Sequence, residues 1–207
     1  MFNTCLRIPE AGIAVLGIPK CACQSVWSAV IEAVSGERPD DPPRHPVIAE
    51  RRCTAAEAKA EGLFVFAVVR HPLDRLVSLW GNKIAPAGSG DKTRTRGMKA
   101  LQKQGYTLGA SFSQFVGEVA ERRDINQHTL PQTEFCAPGG VWSVDELIRF
   151  ESLPEGWEIV RERWPALPAL PHRNPSARGD WRGMYDDDTG SLARSLYRRD
   201  LILLGYE

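Results

Sequence analysis

The segment Ile18–Ser25, with the sequence IPKCACQS, has the residue types of an anion-binding loop. The small residues Ala22 and Cys23 allow backbone N–H groups to approach a ligand closely. Lys20 adds a mobile positive charge, and Ser25 adds a hydroxyl donor. A helix that begins in this segment contributes unpaired N–H groups and the positive end of its dipole. The segment therefore predicts a cradle for a terminal phosphate-type group, although the Walker A pattern G-x-x-x-x-G-K-[ST] is absent.

A second segment, Arg70–Ser78 with the sequence RHPLDRLVS, carries another pair of anion-binding side chains. Arg70 follows an apolar run, and Ser78 lies two helical turns along the helix that Pro72 opens. A guanidinium at the end of a strand can fold back and share one anion with a hydroxyl on the next helix. Taken singly, Arg70 is explained by an ion pair and Ser78 by a helix contact. Together they predict a second anionic pocket beside the first.

Two strand–helix units position these segments. The apolar runs 12–18 and 63–69 are typical of strands that are buried on both faces of a parallel sheet. Apolar residues at helical spacing follow each run, and Gly36 is placed to end the first helix. We therefore predict an α/β fold with a P-loop-like three-layer architecture, in which helices flank a central, mainly parallel sheet. Ligands of such sheets bind at the carboxyl ends of the strands.

The rest of the chain has weaker patterns. Residues 85–106 combine glycines with basic residues, which indicates either a lid or acceptor-binding loop or a mobile solvated loop. The capping box at Ser111 predicts that a helix begins there. The other predicted elements are a short helix over 55–60, a strand over 147–150, a helix over 155–164 and a C-terminal helix over 189–200.

The composition is that of one globular domain over residues 1–207, with 43% apolar and 25% charged residues. The formal net charge of zero argues against a nucleic acid partner bound through overall charge. Five cysteines at irregular spacing indicate neither a disulfide framework nor a zinc site, so no metal is expected. No apolar run reaches the roughly 20 residues of a membrane helix, and no signal-peptide pattern is found. We therefore expect a cytoplasmic protein without a membrane span.

Taken together, the motifs resemble a known family. P-K-x-A-C-x-S after one strand and R-x-P-x-x-R-x-x-S after another are similar to the sulfotransferases that use 3′-phosphoadenosine 5′-phosphosulfate (PAPS). The resemblance is greatest to the sulfotransferase family 2 type, which contains carbohydrate sulfotransferases and soluble bacterial relatives. It continues in the family's order through four later segments: 126–132, 148–153, 170–176 and 197–206.

The resemblance implies a role for each matched residue. Arg70 and Ser78 are expected to hold the 3′-phosphate of PAPS. Ser176, with Asn174, is expected to close over the nucleotide. The residues expected around the 5′-phosphosulfate are Lys20, Ala22, Cys23, Gln24 and Ser25.

Three positions depart from the family's pattern. Gln24 stands where Thr is common, which removes one expected hydroxyl contact. Ala22 replaces the Gly of many relatives, although an Ala-Cys version also occurs. His71 stands where Asp is frequent.

Sulfuryl transfer needs charge stabilisation and removal of a proton. Lys20 is placed to neutralise charge on the bridging oxygen of the donor, and no metal is required. Histidine is the side chain best suited to act as a base near neutral pH. We select His128 because it lies in a segment resembling the family's His-x-x-Pro-Gln motif, with a structural histidine as the alternative. Glu151 is a second candidate base, although a buried ion pair is the role that we favour for it.

The sequence thus predicts a PAPS-dependent sulfotransferase that acts on a hydroxyl of a carbohydrate or glycolipid-like acceptor. The alternatives are a divergent P-loop nucleotide kinase and a non-catalytic nucleotide- or anion-binding module on the same fold. The missing Walker A pattern weighs against the kinase, whereas Gln24 leaves the non-catalytic module open. The identity of the acceptor and the oligomeric state are not encoded in any pattern that we find.

Overall fold

One mixed sheet of five strands is found in the computed structural model, which describes residues 4–85, 92–122, 126–170 and 180–207. The strands in chain order are β1 (Cys5–Ile8), β2 (Ile13–Leu16), β3 (Arg52–Cys53), β4 (Phe64–Val69) and β5 (Glu146–Arg149). Their order in the sheet is β3–β1–β2–β4–β5. Strands β2, β4 and β5 are parallel, whereas β1 is antiparallel to both β2 and β3.

The parallel strands end at one edge of the sheet. Leu16 of β2 pairs with Ala67 of β4, and Val69 of β4 pairs with Arg149 of β5. Both predicted strand–helix units are present, so the predicted α/β fold with a parallel sheet centre is confirmed. The sequence analysis does not predict β1 or β3, because strands of four and two residues carry too few side chains for a recognisable period.

The helices after β2 and β4 begin and end at the predicted local signals. Gly36 adopts a φ of 79° and donates its N–H to Glu32 O, which ends the first helix. Pro72 is the first residue of the other helix, and His71 Nδ1 accepts a hydrogen bond from Leu73 N–H at 3.2 Å, so His71 caps the helix as an Asp would. The helices of the described residues are α1 (Cys23–Ser35), α2 (Pro46–Glu50), α3 (Ala55–Ala60), α4 (Pro72–Lys83), α5 (Lys92–Lys103), α6 (Phe112–Glu121), α7 (Thr133–Cys136), α8 (Leu153–Arg163), α9 (Asp187–Leu196) and α10 (Arg198–Leu203).

The chain divides into two compact units. The sheet unit comprises Met1–Arg70 and Gln132–Pro175, and the helical unit comprises His71–Pro131 and Ser176–Glu207. The sheet unit contains all five described strands, and the helical unit has its own buried core from α4, α6 and α9. The single domain over residues 1–207 stays a prediction. In the described ranges, no helix has the length and apolar character needed to cross a bilayer.

Two predictions about secondary structure are wrong. Residues 85–106 are predicted as a loop, but α5 occupies twelve of them. Within α5, Leu101 packs into the core of the helical unit, and a single buried leucine produces no helical period in the sequence. The C-terminal helix is predicted to be continuous, but it breaks into α9 and α10 at Tyr197, where φ is −109° and ψ is 21°.

Candidate functional site

The anion loop, which we define as residues 18–25, joins β2 to α1 with a strained backbone. Lys20 has a φ of 71° and Ala22 a φ of 56°, and among the described residues these are the only non-glycine residues with positive φ. Each left-handed residue costs roughly 1–2 kcal/mol, and such strain clusters at sites that bind ligands. Glycine would adopt this conformation without the cost, so an alanine at position 22 retains the strain.

Hydrogen bonds within the loop hold this conformation. The Cys23 thiol donates to Ile18 O at 2.8 Å, and Cys21 N–H donates to the same carbonyl at 3.2 Å. Val26 N–H donates to Ala22 O at 3.1 Å, which closes the first turn of α1. Because the Cys23 thiol donates to a carbonyl of the loop, we expect Cys23 to contribute to ligand binding through its backbone.

The start of α1 has the electrostatics of an anion site. Ala22 is the N-cap residue, and a methyl side chain offers no acceptor to the first N–H groups of the helix. The helix has 13 residues, so its aligned peptide dipoles place partial positive charge beside the loop. Gln24 is half-buried and Ser25 is buried in this first turn. Successive N–H groups around left-handed residues form concave anion-binding sites.

Arg70 brings the second predicted segment to the anion loop. It follows β4, is only 6% exposed, and donates from Nη1 to Lys20 O at 3.4 Å. Its guanidinium carbon also lies 4.2 Å from the centroid of the Phe150 ring, within the range of a cation–π contact. Lys20 and Arg70, predicted from separate motifs, therefore meet at the carboxyl edge of the parallel strands.

Gln132 is a residue of this site that the sequence analysis does not single out. Its side chain is fully buried, and its amide contacts both Arg70 and Cys21. The available signal was its place at the end of the segment 126–132, although His128 is the residue of that segment with the side chain of a base.

Ser78 and His128 belong to the helical unit, and their contribution to a site with Lys20 stays a prediction. His128 Nδ1 lies 2.8 Å from Asn126 Oδ1, which also accepts the His128 backbone N–H at 2.8 Å. Asn126 Nδ2 donates to Gln104 Oε1 at 2.5 Å, which fixes the orientation of the Asn126 amide. Since an amide oxygen only accepts, Nδ1 carries the proton in this contact. The other ring nitrogen, Nε2, then holds the lone pair that a general base needs.

The remaining candidates are placed differently. Glu151 is exposed, in a helical turn after β5. Ser176 and Asn174 lie outside the described residues. No group of three or more potential metal ligands occurs within the described parts of the chain.

A comparison with family models supplies the identity that the geometry leaves open. A model described as the sulfotransferase family matches residues 3–207. The chain belongs to the sulfotransferase family. A search of curated proteins and a search of solved structures each found no match.

Membership gives this sulfotransferase a general activity: transfer of a sulfuryl group. It implies a sulfate donor such as PAPS and an acceptor that bears a hydroxyl group. The strained loop, the start of α1 and Arg70 are the features of this chain that suit an anionic donor.

Proposed function

We propose that this sulfotransferase transfers the sulfuryl group of PAPS to a hydroxyl of a carbohydrate or glycolipid-like acceptor. The observation that carries the proposal is the contact of the Arg70 guanidinium with the left-handed anion loop at Lys20 O. PAPS has two separate anionic groups, and the chain offers a helix start with Lys20 for one and a buried guanidinium for the other.

In this proposal the anion loop binds the 5′-phosphosulfate of PAPS. Backbone N–H groups from Ala22 to Ser25 are the donors to it, and Gln24 adds an amide where relatives have a hydroxyl. Arg70 binds the 3′-phosphate together with Ser78, and Ser176 closes over the nucleotide. When bound, PAPS supplies an activated sulfuryl group, and Lys20 stabilises the negative charge that develops on the phosphate side.

His128 is proposed as the general base. Its Nε2 accepts the proton of the acceptor hydroxyl as that oxygen attacks, and Asn126 holds the ring in the required tautomer. The imidazolium that forms keeps its Nδ1–H hydrogen bond to Asn126 Oδ1, so proton uptake costs no rearrangement of the ring.

Nucleotide binding is the first test of this function. At 100 times its Kd, PAPS or adenosine 3′,5′-bisphosphate contributes about 2.7 kcal/mol, which raises the Tm of a chain of this size by roughly 5–10 °C. ATP with Mg²⁺ at the same concentration is expected to give little or no shift. A shift with ATP and Mg²⁺ alone would favour the nucleotide kinase and contradict our proposal.

Transfer of labelled sulfate from PAPS to a panel of glycans, glycolipids, tyrosine peptides and simple alcohols tests the acceptor class. We expect product with a glycan or glycolipid. Product only with a peptide or a simple alcohol would overturn the acceptor assignment while leaving the donor assignment intact. Nucleotide binding without transfer to any acceptor would favour the non-catalytic module.

Two variants test the assigned roles. Lys20→Ala should lower turnover by about 10²–10³-fold, the factor for removing one charge-stabilising group. His128→Ala should lower turnover by about 10²-fold or more and leave the Kd for adenosine 3′,5′-bisphosphate unchanged. Gln127→Ala, an exposed neighbour, is the control and should retain wild-type turnover. Full activity of His128→Ala would show that another group is the base.

A further inference from the structure

We propose that Gln132 is a positioning residue, which holds the anion loop and Arg70 in the arrangement that binds the donor. The effect of Gln132 on donor binding rests on the proposed function, whereas its contacts are those of the sheet unit. Gln132 is a member of that unit, as are the residues that its amide contacts.

Among the described contacts of the Gln132 amide, three hydrogen bonds run in two directions. Oε1 accepts from Arg70 N–H at 2.9 Å and from the Cys21 thiol at 3.2 Å, and Nε2 donates to Arg70 O at 2.7 Å. The reverse orientation of the amide would set Nε2 against an N–H group and Oε1 against a carbonyl oxygen. The network therefore fixes the assignment of the two amide atoms.

Towards Arg70, the amide takes the place of a neighbouring strand. The pairing of β4 with β5 ends at Val69, and the pairing of β4 with β2 ends at Ala67. Arg70 is the next residue, and both its backbone N–H and its backbone carbonyl are bonded by Gln132. One side-chain amide thus extends the sheet by a residue and sets the position from which the guanidinium departs.

Towards the anion loop, the same oxygen binds the residue between the two left-handed positions. Cys21 lies between Lys20 and Ala22, and its thiol donates to Gln132 Oε1. The Arg70 guanidinium donates to Lys20 O. A closed circuit therefore runs from Gln132 to Arg70, to Lys20, to Cys21 and back to Gln132. A change at any of these contacts is transmitted to both anion-binding groups.

The backbone of Gln132 is itself held firmly, so the amide has a rigid base. Gln132 O accepts hydrogen bonds from Phe135 N–H at 2.9 Å, from Cys136 N–H at 3.2 Å and from the Cys136 thiol at 3.3 Å. Both lone pairs of Oε1 are used, and burial excludes water from replacing a lost partner. A loop that is already ordered in the free protein binds its ligand more tightly, because no conformational entropy of the loop is lost on binding.

The first test uses the free protein and is independent of any nucleotide. Gln132→Met keeps the length of the side chain and removes the hydrogen bonds of the amide to Arg70 and Cys21. Ser143→Ala is the matched control, because Ser143 Oγ donates to Phe135 O and Cys136 O in the same turn and forms no described bond with the loop. We expect amide hydrogen exchange at Cys21, Val26 and Arg70, whose N–H groups are hydrogen-bonded, to become at least about tenfold faster in Gln132→Met only.

The second test measures affinity for adenosine 3′,5′-bisphosphate by calorimetry. We expect the Kd to rise about tenfold or more in Gln132→Met and to stay within about twofold in Ser143→Ala. The KM for PAPS should rise in parallel, with a smaller change in kcat. If the wild type binds no such nucleotide, the proposed function fails, and the exchange experiment still decides whether Gln132 positions the loop.

A conservative pair covers the case in which Gln132→Met does not fold. Cys21→Ala removes only the thiol hydrogen bond, whereas Cys21→Ser keeps a donor to Oε1. Exchange of the loop should be faster in Cys21→Ala and should return towards wild type in Cys21→Ser. Wild-type exchange in both Gln132→Met and Cys21→Ala would overturn the proposal. Equal acceleration throughout the chain in Gln132→Met and Ser143→Ala would also overturn it, because that result indicates general destabilisation.

Discussion

Two arginines of one short motif are held in the structure by different groups. Arg70 and Arg75 stand five residues apart in R-x-P-x-x-R-x-x-S, and both are buried, at 6% and 2% exposure. Arg70 is held by its backbone, through Gln132, and its guanidinium lies at the anion loop. Arg75 is held by its guanidinium, which donates to Leu130 O at 2.8 Å and to Gln127 O at 3.4 Å.

The surroundings of Arg75 are those of a structural residue. Tyr197 lies nearby in the core of the helical unit and donates its hydroxyl to Thr129 O at 2.7 Å. Arg75 and the Tyr197 hydroxyl thus both donate to backbone carbonyls within residues 127–130. Burial raises the pKa of Tyr197. The positive charge of Arg75 lowers this pKa by a smaller amount, and the negative charge of Asp200 raises it. This group stabilises a loop, whereas Arg70 contacts the anion loop and is proposed to bind the donor.

The two arginines thus differ in the group that makes the short hydrogen bonds: the backbone of Arg70 and the guanidinium of Arg75. The Arg75 guanidinium contributes to the folding free energy through its 2.8 Å hydrogen bond to Leu130 O. The contact of the Arg70 guanidinium with Lys20 O, at 3.4 Å, is longer and therefore weaker. An arginine anchored by its own peptide groups has its position set independently of its charge, which suits recognition of an anion. The following substitutions test this distinction, beginning with the largest expected effect.

Arg70→Ala should raise the Kd for adenosine 3′,5′-bisphosphate by about 100-fold or more, since a buried charged partner of the phosphate is lost. Calorimetric titration measures this change. Arg70→Lys keeps the charge without the planar fork and should give an intermediate Kd. An unchanged Kd in Arg70→Ala would show that Arg70, like Arg75, does not bind the nucleotide.

Arg75→Ala should lower the Tm by about 6–24 °C, because the two described hydrogen bonds of this buried charged donor contribute roughly 3–6 kcal/mol. The Kd of the folded protein for the nucleotide should change by less than about threefold. Calorimetry of unfolding measures the Tm, and Arg198→Ala, an exposed change in the same unit, is the control. A large loss of nucleotide affinity at wild-type Tm would assign Arg75 to the ligand instead.

Tyr197→Phe should lower the free energy of unfolding by about 1–2 kcal/mol, because Thr129 O loses a buried donor. The raised pKa of Tyr197 adds a pH dependence: the folded state keeps the phenol protonated. That stability is present below the ordinary pKa of about 10 and is lost as pH rises above it. Urea unfolding at pH 8 and at pH 10.5 should therefore show a smaller alkaline loss in Tyr197→Phe than in the wild type.

Asp186→Asn is expected to have the smallest effect on stability, and the effect should be measurable only at acidic pH. The Asp186 carboxylate accepts Thr189 N–H at 2.7 Å at the start of α9, and hydrogen bonds from Thr189 lower the pKa of Asp186. This stabilisation is present above the ordinary carboxyl pKa of about 4 and is lost as pH falls below it. Asn caps equally well without titrating, so the Tm of Asp186→Asn should fall less than that of the wild type between pH 5 and pH 3. Parallel Tm profiles for the two proteins would contradict this role.

Much of the fold could be predicted because its signals are local. The runs before Pro19 and before Arg70 read as buried strands, and the structure has β2 and β4 there. Pro72 opens α4 and Gly36 ends α1, since each acts on the backbone within one turn. By contrast, α5 has a single buried leucine, and β3 is two residues long, so neither has a period to read.

The site was predicted only in part. Lys20 and Arg70 were selected because each carries a charge next to a strand–helix junction, and the structure shows the two in contact. Gln132 was overlooked because its role depends on a partner 62 residues earlier in the chain, and a glutamine in a loop has no distinguishing pattern. Arg70 and Arg75 could not be told apart for the same reason, since their acceptors lie far away in the chain.

Residue types and spacing were sufficient to predict the α/β class and the family, and they led to the proposal that the loop after β2 binds an anion. These follow from interactions among near neighbours in the chain, which propensity and periodicity record. Folding was needed to show that Arg70 contacts the loop, which side chain completes the sheet edge at Arg70, and that Lys20 and Ala22 adopt left-handed backbone. Those features are imposed by hydrogen bonds between segments distant in the chain, and no local pattern encodes them.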